Sequence, residues 1–178
     1  MLGLVVVSLR ASAGSAAPVV AWLGGVVALY GAVDCVASTL RAILAALGVE
    51  SAPMQRDPVL SASVSEFWAE RWNRAVGGWL RRHVFLPVAR RAGTLAGIAA
   101  AFAWSTLLHF YAVLCGIGLE PALRMGAFFV VQAMAVLLET RLSVRSWPRP
   151  LARVWTFALV LGPSILFVGP VLEIFGVR

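Results

Sequence analysis

The sequence predicts an all-α fold, a multi-span integral membrane helical bundle of about four transmembrane helices plus an interfacial amphipathic helix. Three observations lead there. Of the 178 residues, 61% are hydrophobic and 13% charged, whereas a soluble domain is nearer half apolar and about a quarter charged. So little charge cannot clothe a water-facing surface, which makes lipid the expected solvent. Four stretches (11–33, 92–119, 125–138 and 154–172) contain no Asp, Glu, Lys or Arg, and their unbroken apolarity lacks the two-residue alternation of a strand. Finally, the basic residues gather between these apolar blocks. All fifteen are arginine, for a net charge of +7.

Taken in order, the N-terminal MLGLVVVSL is too short to span a bilayer and is followed by Arg10. It lacks the basic n-region of a signal peptide, so it reads as an interfacial lead-in or as the cut end of a helix from a longer protein. Residues 1–50 thus make one or more N-terminal helices, with truncation left open. The first span is 11–33, and the apolar segment 35–49, interrupted by Arg41, extends that helix toward the membrane surface. Stretches 92–119 and 154–172 approach or exceed the roughly 20 residues that a spanning helix needs. Stretch 125–138 is short and is completed by extension back to Pro121.

Residues 50–91 hold seven arginines, and residues 140–153 hold Arg141, Arg145, Arg149 and Arg153 with no acid. The turn CGIGLEP between the second and third spans carries only Glu120. Both basic loops therefore belong on the cytoplasmic side of a single membrane domain, residues 1–178. This placement suits membrane orientation better than a phosphate-tracking groove, so no nucleic-acid partner is expected. Cys35 and Cys115 have neither a disulfide framework nor metal-ligand spacing. No metal site, Gly-rich phosphate loop or nucleophilic Ser or Cys motif stands out.

The stretch SVSEFWAERWNRAVGGWLRRHVFLPVARR (63–91) carries three tryptophans and six arginines. On a regular helix over Val64–Leu80, Trp68, Trp72, Ala75 and Trp79 fall in one sector. Glu66, Glu70, Arg74 and Arg81 gather opposite, with Glu70 and Arg74 at i,i+4 spacing. Such a helix lies in the membrane interface with its indoles at headgroup depth. An anchor of this kind needs no chemistry.

The order of residues says more. Phe67-Trp68-Ala69-Glu70-Arg71-Trp72-Asn73 resembles the F-Y-x-D-W-W-N signature of the membrane-bound O-acyltransferase superfamily, and more nearly the F-W-x-x-R-W-N of its wax synthase-like branch. Val84-Phe85-Leu86-Pro87 resembles the V-Y-x-P element that follows in that branch. Ser105-Thr106-Leu107-Leu108-His109 resembles the histidine-bearing S-G-L-x-H-E setting in the next span, with Phe110 where the family commonly has an acid. Gln132 and Glu139 are similar to a polar pair in the following helix, and Leu166-Phe167-Val168-Gly169-Pro170 to a closing L-F-x-x-P element. The resemblance covers residues 63–175 and corresponds to the C-terminal half of such proteins.

That resemblance implies O-acyl transfer from acyl-CoA, a co-substrate, to a lipid alcohol, as in wax ester synthesis; no other cofactor is implied. His109 is the only ionisable side chain in its span besides Tyr111 and Cys115, and an intramembrane ionisable group is a functional candidate by default. The competing assignment is a histidine that packs the bundle through a hydrogen bond. If catalytic, His109 would take the proton of the attacking hydroxyl, and Asn73 would donate a hydrogen bond to substrate or developing oxyanion. Arg71, Arg81 and Arg82 would meet the phosphates of CoA, with lipid headgroups as their alternative partners. Phe67, Trp68 and Trp72 would line the acyl entrance or simply anchor the chain. A catalytically inactive or truncated member that binds lipid or a partner is the second functional expectation. The remaining partners are membrane lipids, and an oligomer or a missing N-terminal half.

Overall fold

The computed structural model describes residues 17–176; the MLGLVVVSL segment lies outside them. Helix α1 (Ala17–Ala46) continues past Asp34 and Arg41, as the apolar run 35–49 led one to expect. A loop with a 3-10 turn at Pro58–Leu60 leads into α2 (Val64–Glu66), which opens into a wide π-turn at Phe67–Arg71. Helix α3 (Arg74–Leu80), a second π-turn (Arg81–Phe85) and α4 (Leu86–Ala92) follow. Gly93 then turns the chain into α5 (Thr94–Ile117), and Gly118 turns it into α6 (Leu119–Leu142). Helix α7 (Arg149–Leu161), a 3-10 turn at Gly162–Ser164 and α8 (Ile165–Ile174) come last among the described elements. The described residues contain no strand.

Among the described residues four helices are long and apolar enough to cross a membrane: Pro18–Ala46, Thr94–Ile117, Leu119–Leu142 and the bent pair Arg149–Ile174. At 1.5 Å per residue a 24-residue helix is about 36 Å long, enough for the roughly 30 Å hydrocarbon core. The third span therefore reaches full length by taking in Glu120, Arg124 and Glu139 at its ends. Arg124 pairs with Glu120 and, at 3.2 Å, with Glu173 of α8. The end of α1, the starts of α5 and α7 and the end of α6 share one end of the bundle with the arginine-rich segments.

Helix α6 is the centre. It is the most buried of the four spans, 50% against 6–22% for the others. Its inward row, Met125, Phe128, Phe129, Gln132, Val136 and Glu139, has the three- and four-residue spacing of one helix face. Helices α5 and α8 pack on it around Val113, Ala122, Phe128 and Phe129. Val64 of α2 joins Ala135, Val136 and Val160 in a second cluster.

The regular helix expected over Val64–Leu80 is broken. Trp72 is extended (φ −90°, ψ 131°) and Asn73 is left-handed (φ 39°, ψ 59°). Asn is among the few residues that adopt this conformation readily. The exposed backbone finds partners in the preceding loop: Asn73 N–H donates to Gln55 Oε1 at 3.1 Å, Arg74 N–H to Met54 O at 2.9 Å and Arg56 N–H to Arg71 O at 2.9 Å. The three indoles consequently do not share a face. The expected Glu70–Arg74 pair is also replaced, since Glu70 meets Arg145 at 3.9 Å and Arg74 Nη1 donates to Pro53 O.

Close approach of α1 to α8 depends on a missing methyl group. A Cβ on Gly25 would lie 2.5 Å from Val168 Cγ1 and 3.3 Å from Leu172 Cδ1, whereas one on Gly31 would meet nothing within 4 Å. Overpacking costs about 1–3 kcal/mol, while Gly to Ala in an open helix position gains about 0.5–1 kcal/mol. Gly25→Ala should therefore lower the melting temperature of the detergent-solubilised protein and Gly31→Ala should raise it or leave it level, by tryptophan fluorescence.

Candidate functional site

A cavity of about 710 Å³ opens beside Arg81 and Arg145 at the basic end. It reaches inward to Phe129, Phe167 and Val168. Its wall is mostly apolar, with Asn73, Ser105, His109, Thr156 and Ser164 among its few polar groups. That size and balance suit an elongated apolar ligand held by a small number of polar contacts.

His109 sits fifteen residues into α5, about 22 Å from Thr94 along the axis. That is roughly two-thirds of the way down the helix and past its midpoint. Its Nδ1 lies 2.8 Å from the carbonyl oxygen of Ser105, one turn back. A carbonyl only accepts, so this contact places the proton of a neutral ring on Nδ1 and leaves the lone pair on Nε2. The ring lies against Phe129 (centroids 4.2 Å apart) and near Phe167 (6.2 Å). Phe110 packs with the Val113, Ala122 and Met125 cluster on the α5–α6 seam, so at the position after the histidine this chain uses its side chain for helix packing.

Asn73 lines the same cavity as His109 although it lies 36 residues earlier in the chain. Its Oδ1 accepts a long bond from Val76 N–H (3.4 Å), capping α3. The amide Nδ2 retains two N–H donors. Asn73 therefore does two local jobs, the left-handed turn and the cap, before any chemistry is considered.

Trp68 points into the bundle. Its Nε1–H donates to Gln132 Oε1 at 3.0 Å, and Gln132 Nε2 donates to Leu159 O at 2.8 Å. Gln132 is fully buried, so each of these bonds satisfies a group with no access to water. The indole also meets Phe102, Phe128 and Phe129 edge-on or tilted. Phe67 stacks on Trp72 at 5.7 Å, and Trp72 reaches Tyr30 of α1. Trp79, by contrast, is exposed beside His83 and Trp104.

Two turns along α6 from Gln132, Glu139 accepts from Val64 N–H (2.7 Å), Ser65 N–H (3.0 Å) and Trp155 Nε1–H (3.1 Å). This carboxylate thus caps the start of the aromatic segment. Arg71 is also committed locally: Nε meets Glu66 Oε1 at 2.7 Å, and Nη1 donates to the carbonyls of Arg56 and Asp57. Arg81 borders the cavity mouth and Arg82 is exposed beside it. Sequence reasoning overlooked Gln55, whose contact with Asn73 spans 18 residues, and Arg145 at the rim; no local pattern marks either.

Burial opposes ionisation of Glu66, but the Ala62 N–H and the Arg71 guanidinium outweigh it and hold the carboxyl below its ordinary value of 4.5.

Residues 51–131 match the membrane bound O-acyl transferase family, a segment that includes both Asn73 and His109. Curated relatives in Arabidopsis thaliana include probable long-chain-alcohol O-fatty-acyltransferase 2, 34% identical over 113 residues, which cover 58% of this chain and 33% of that protein. Probable long-chain-alcohol O-fatty-acyltransferase 1 is 32% identical over 155 residues, 79% of this chain and 43% of its own. Acyl-CoA–sterol O-acyltransferase 1 is 27% identical over 146 residues, 75% of this chain and 42% of its own. The chain thus spans less than half the length of these relatives. No solved structure matches it.

Two outcomes follow for the aromatic segment. Trp68→Phe removes the donor to a buried Gln132 oxygen and should destabilise the detergent-solubilised protein by about 1–3 kcal/mol in thermal or denaturant unfolding. Because the Glu66 pKa is depressed on folding, its contribution is complete above 4.5 and is lost as pH falls through the lower folded value. The protection of amides 54–57, taken relative to their intrinsic exchange rates, should therefore fall on acidification below pH 4.5, and Glu66→Gln should flatten that response.

Proposed function

From the match of residues 51–131 to the membrane bound O-acyl transferase family, we propose that this chain takes part in O-acyl transfer from acyl-CoA to a lipid alcohol, as in wax ester synthesis. The observation that carries the reading is one apolar cavity bordered by both His109 and Asn73, with the ring proton of His109 directed to Nδ1.

In this reading the acyl chain and the alkyl chain of the alcohol lie in the apolar part of the cavity. Phe67, Trp68 and Trp72 form part of its wall, with Trp68 deeper, against Phe128 and Phe129. Neutral His109 takes the hydroxyl proton at Nε2 as the alcohol oxygen attacks the thioester carbonyl. The C–O bond forms, the C–S bond breaks, and the proton passes from His109 to the departing CoA thiolate. Asn73 Nδ2 donates to the oxygen that gains charge. Arg81 and Arg82 face the CoA phosphates, with Arg71 holding the loop behind them. The arginines of the basic end favour the cytoplasmic side in this reading, which is where a water-soluble thioester would arrive.

A second reading, lipid or acyl-CoA binding without turnover, is favoured by one detail: the Nδ1 partner of His109 is a backbone carbonyl, which holds the imidazolium less strongly than a carboxylate would.

Membranes containing the protein, given long-chain acyl-CoA and a fatty alcohol, should release free thiol and form ester. His109→Ala should lower kcat by about a hundredfold or more. Asn73→Gly keeps the left-handed backbone but removes the amide, so it should lower kcat by about a hundredfold while the melting temperature moves little. Acyl-CoA binding with no thiol release across a panel of alcohols would select the second reading.

A further inference from the structure

The segment 67–78 separates two hollows. On one side lies the His109 cavity. On the other, a groove of about 520 Å³ is bounded by the second half of α1, the loop 51–56 and the outer face of residues 69–78. Among the described residues Ala69 alone borders both. Three arginines from three separate elements converge on this groove: Arg41 of α1, Arg56 of the loop and Arg74 of α3.

Among the described residues neither Arg41 nor Arg56 has a carboxylate within 4 Å. Arg74 spends one nitrogen on Pro53 O and keeps its other donors. The single acid on the wall, Glu70, has Arg145 3.9 Å away. The remaining wall is largely apolar, with Leu40, Leu44 and Met54. The groove also lies at the level where α1 ends and α5 begins, which is headgroup depth for a chain that spans the bilayer.

We infer that the groove bordered by Arg41, Arg56 and Arg74 binds the phosphate-bearing headgroup of an anionic phospholipid from the leaflet at the basic end of the bundle. Convergent guanidiniums supply forked donors for phosphate oxygens, and the apolar wall accommodates the glycerol and the first methylenes of the tails. The site is separate from the His109 cavity and does not depend on the acyl-transfer reading. It shares a wall with it, however: the loop that carries Arg56 also holds Asn73 through Gln55.

The same phosphate chemistry is offered by CoA and by inorganic phosphate, and the test distinguishes them. The intact protein in a neutral detergent is titrated with short-chain phosphatidylglycerol, with phosphatidylcholine of equal chain length, with CoA and with inorganic phosphate, and the thermal shift is followed. Phosphatidylglycerol should stabilise saturably, and phosphatidylcholine should not. Arg41→Gln/Arg56→Gln should weaken the phosphatidylglycerol response by about tenfold or more. Arg90→Gln/Arg91→Gln, which removes the same charge from exposed positions elsewhere, should leave it within about twofold. Equal responses to both lipids, equal losses in both double variants, or displacement of the lipid by CoA or phosphate at similar concentrations would each overturn the inference.

Discussion

The arrangement of the whole site depends on how one helix in an apolar medium dispenses its polar groups. Gln132 and Glu139 stand two turns apart on the inward face of α6, where an unsatisfied amide or carboxylate costs several kcal/mol. Both find their partners in the aromatic segment and in α7: the indole of Trp68, the first backbone amides of α2, the indole of Trp155 and the carbonyl of Leu159. These bonds fix the segment's height and rotation on the bundle. Everything downstream, from the turn at Asn73 to the wall of the His109 cavity, inherits that placement.

This changes how the tryptophans are understood. Composition alone makes them interfacial anchors, and Trp79 behaves as one, exposed beside Trp104. Trp68 does the opposite and serves as a buried peg with a hydrogen-bonded tip, while Trp72 bridges Phe67 to α1. Residue type is shared among the three; what differs is the backbone that carries them.

Spans, basic-end placement and the candidate histidine were legible in the sequence because they rest on long averages: twenty apolar residues, a cluster of arginines, one imidazole in a greasy helix. The linear order of Phe67 to Asn73 and of Ser105 to His109 added the family likeness. The break at Trp72–Asn73 was not legible, because its cause lies outside the segment. It is stabilised by Met54, Gln55 and Arg56 across a loop, and a loop amide or carbonyl offered from eighteen residues away leaves no periodic trace. The capping duty of Glu139 was hidden for the same reason, since its partners precede it by 74 and 75 residues.

The wide turns at Phe67–Arg71 and Arg81–Phe85 have a further implication. Each holds one residue more than an ordinary helical turn, so the chain around them is phased like a screw with an added step. Losing a single residue there would not merely shorten the stretch; it would swing the side chains on one side of the turn by about 100° relative to those on the other side within the same helical run. Insertions and deletions at these two places are therefore rotations in disguise, and a line-by-line comparison with another protein that ignores them would pair residues pointing in different directions.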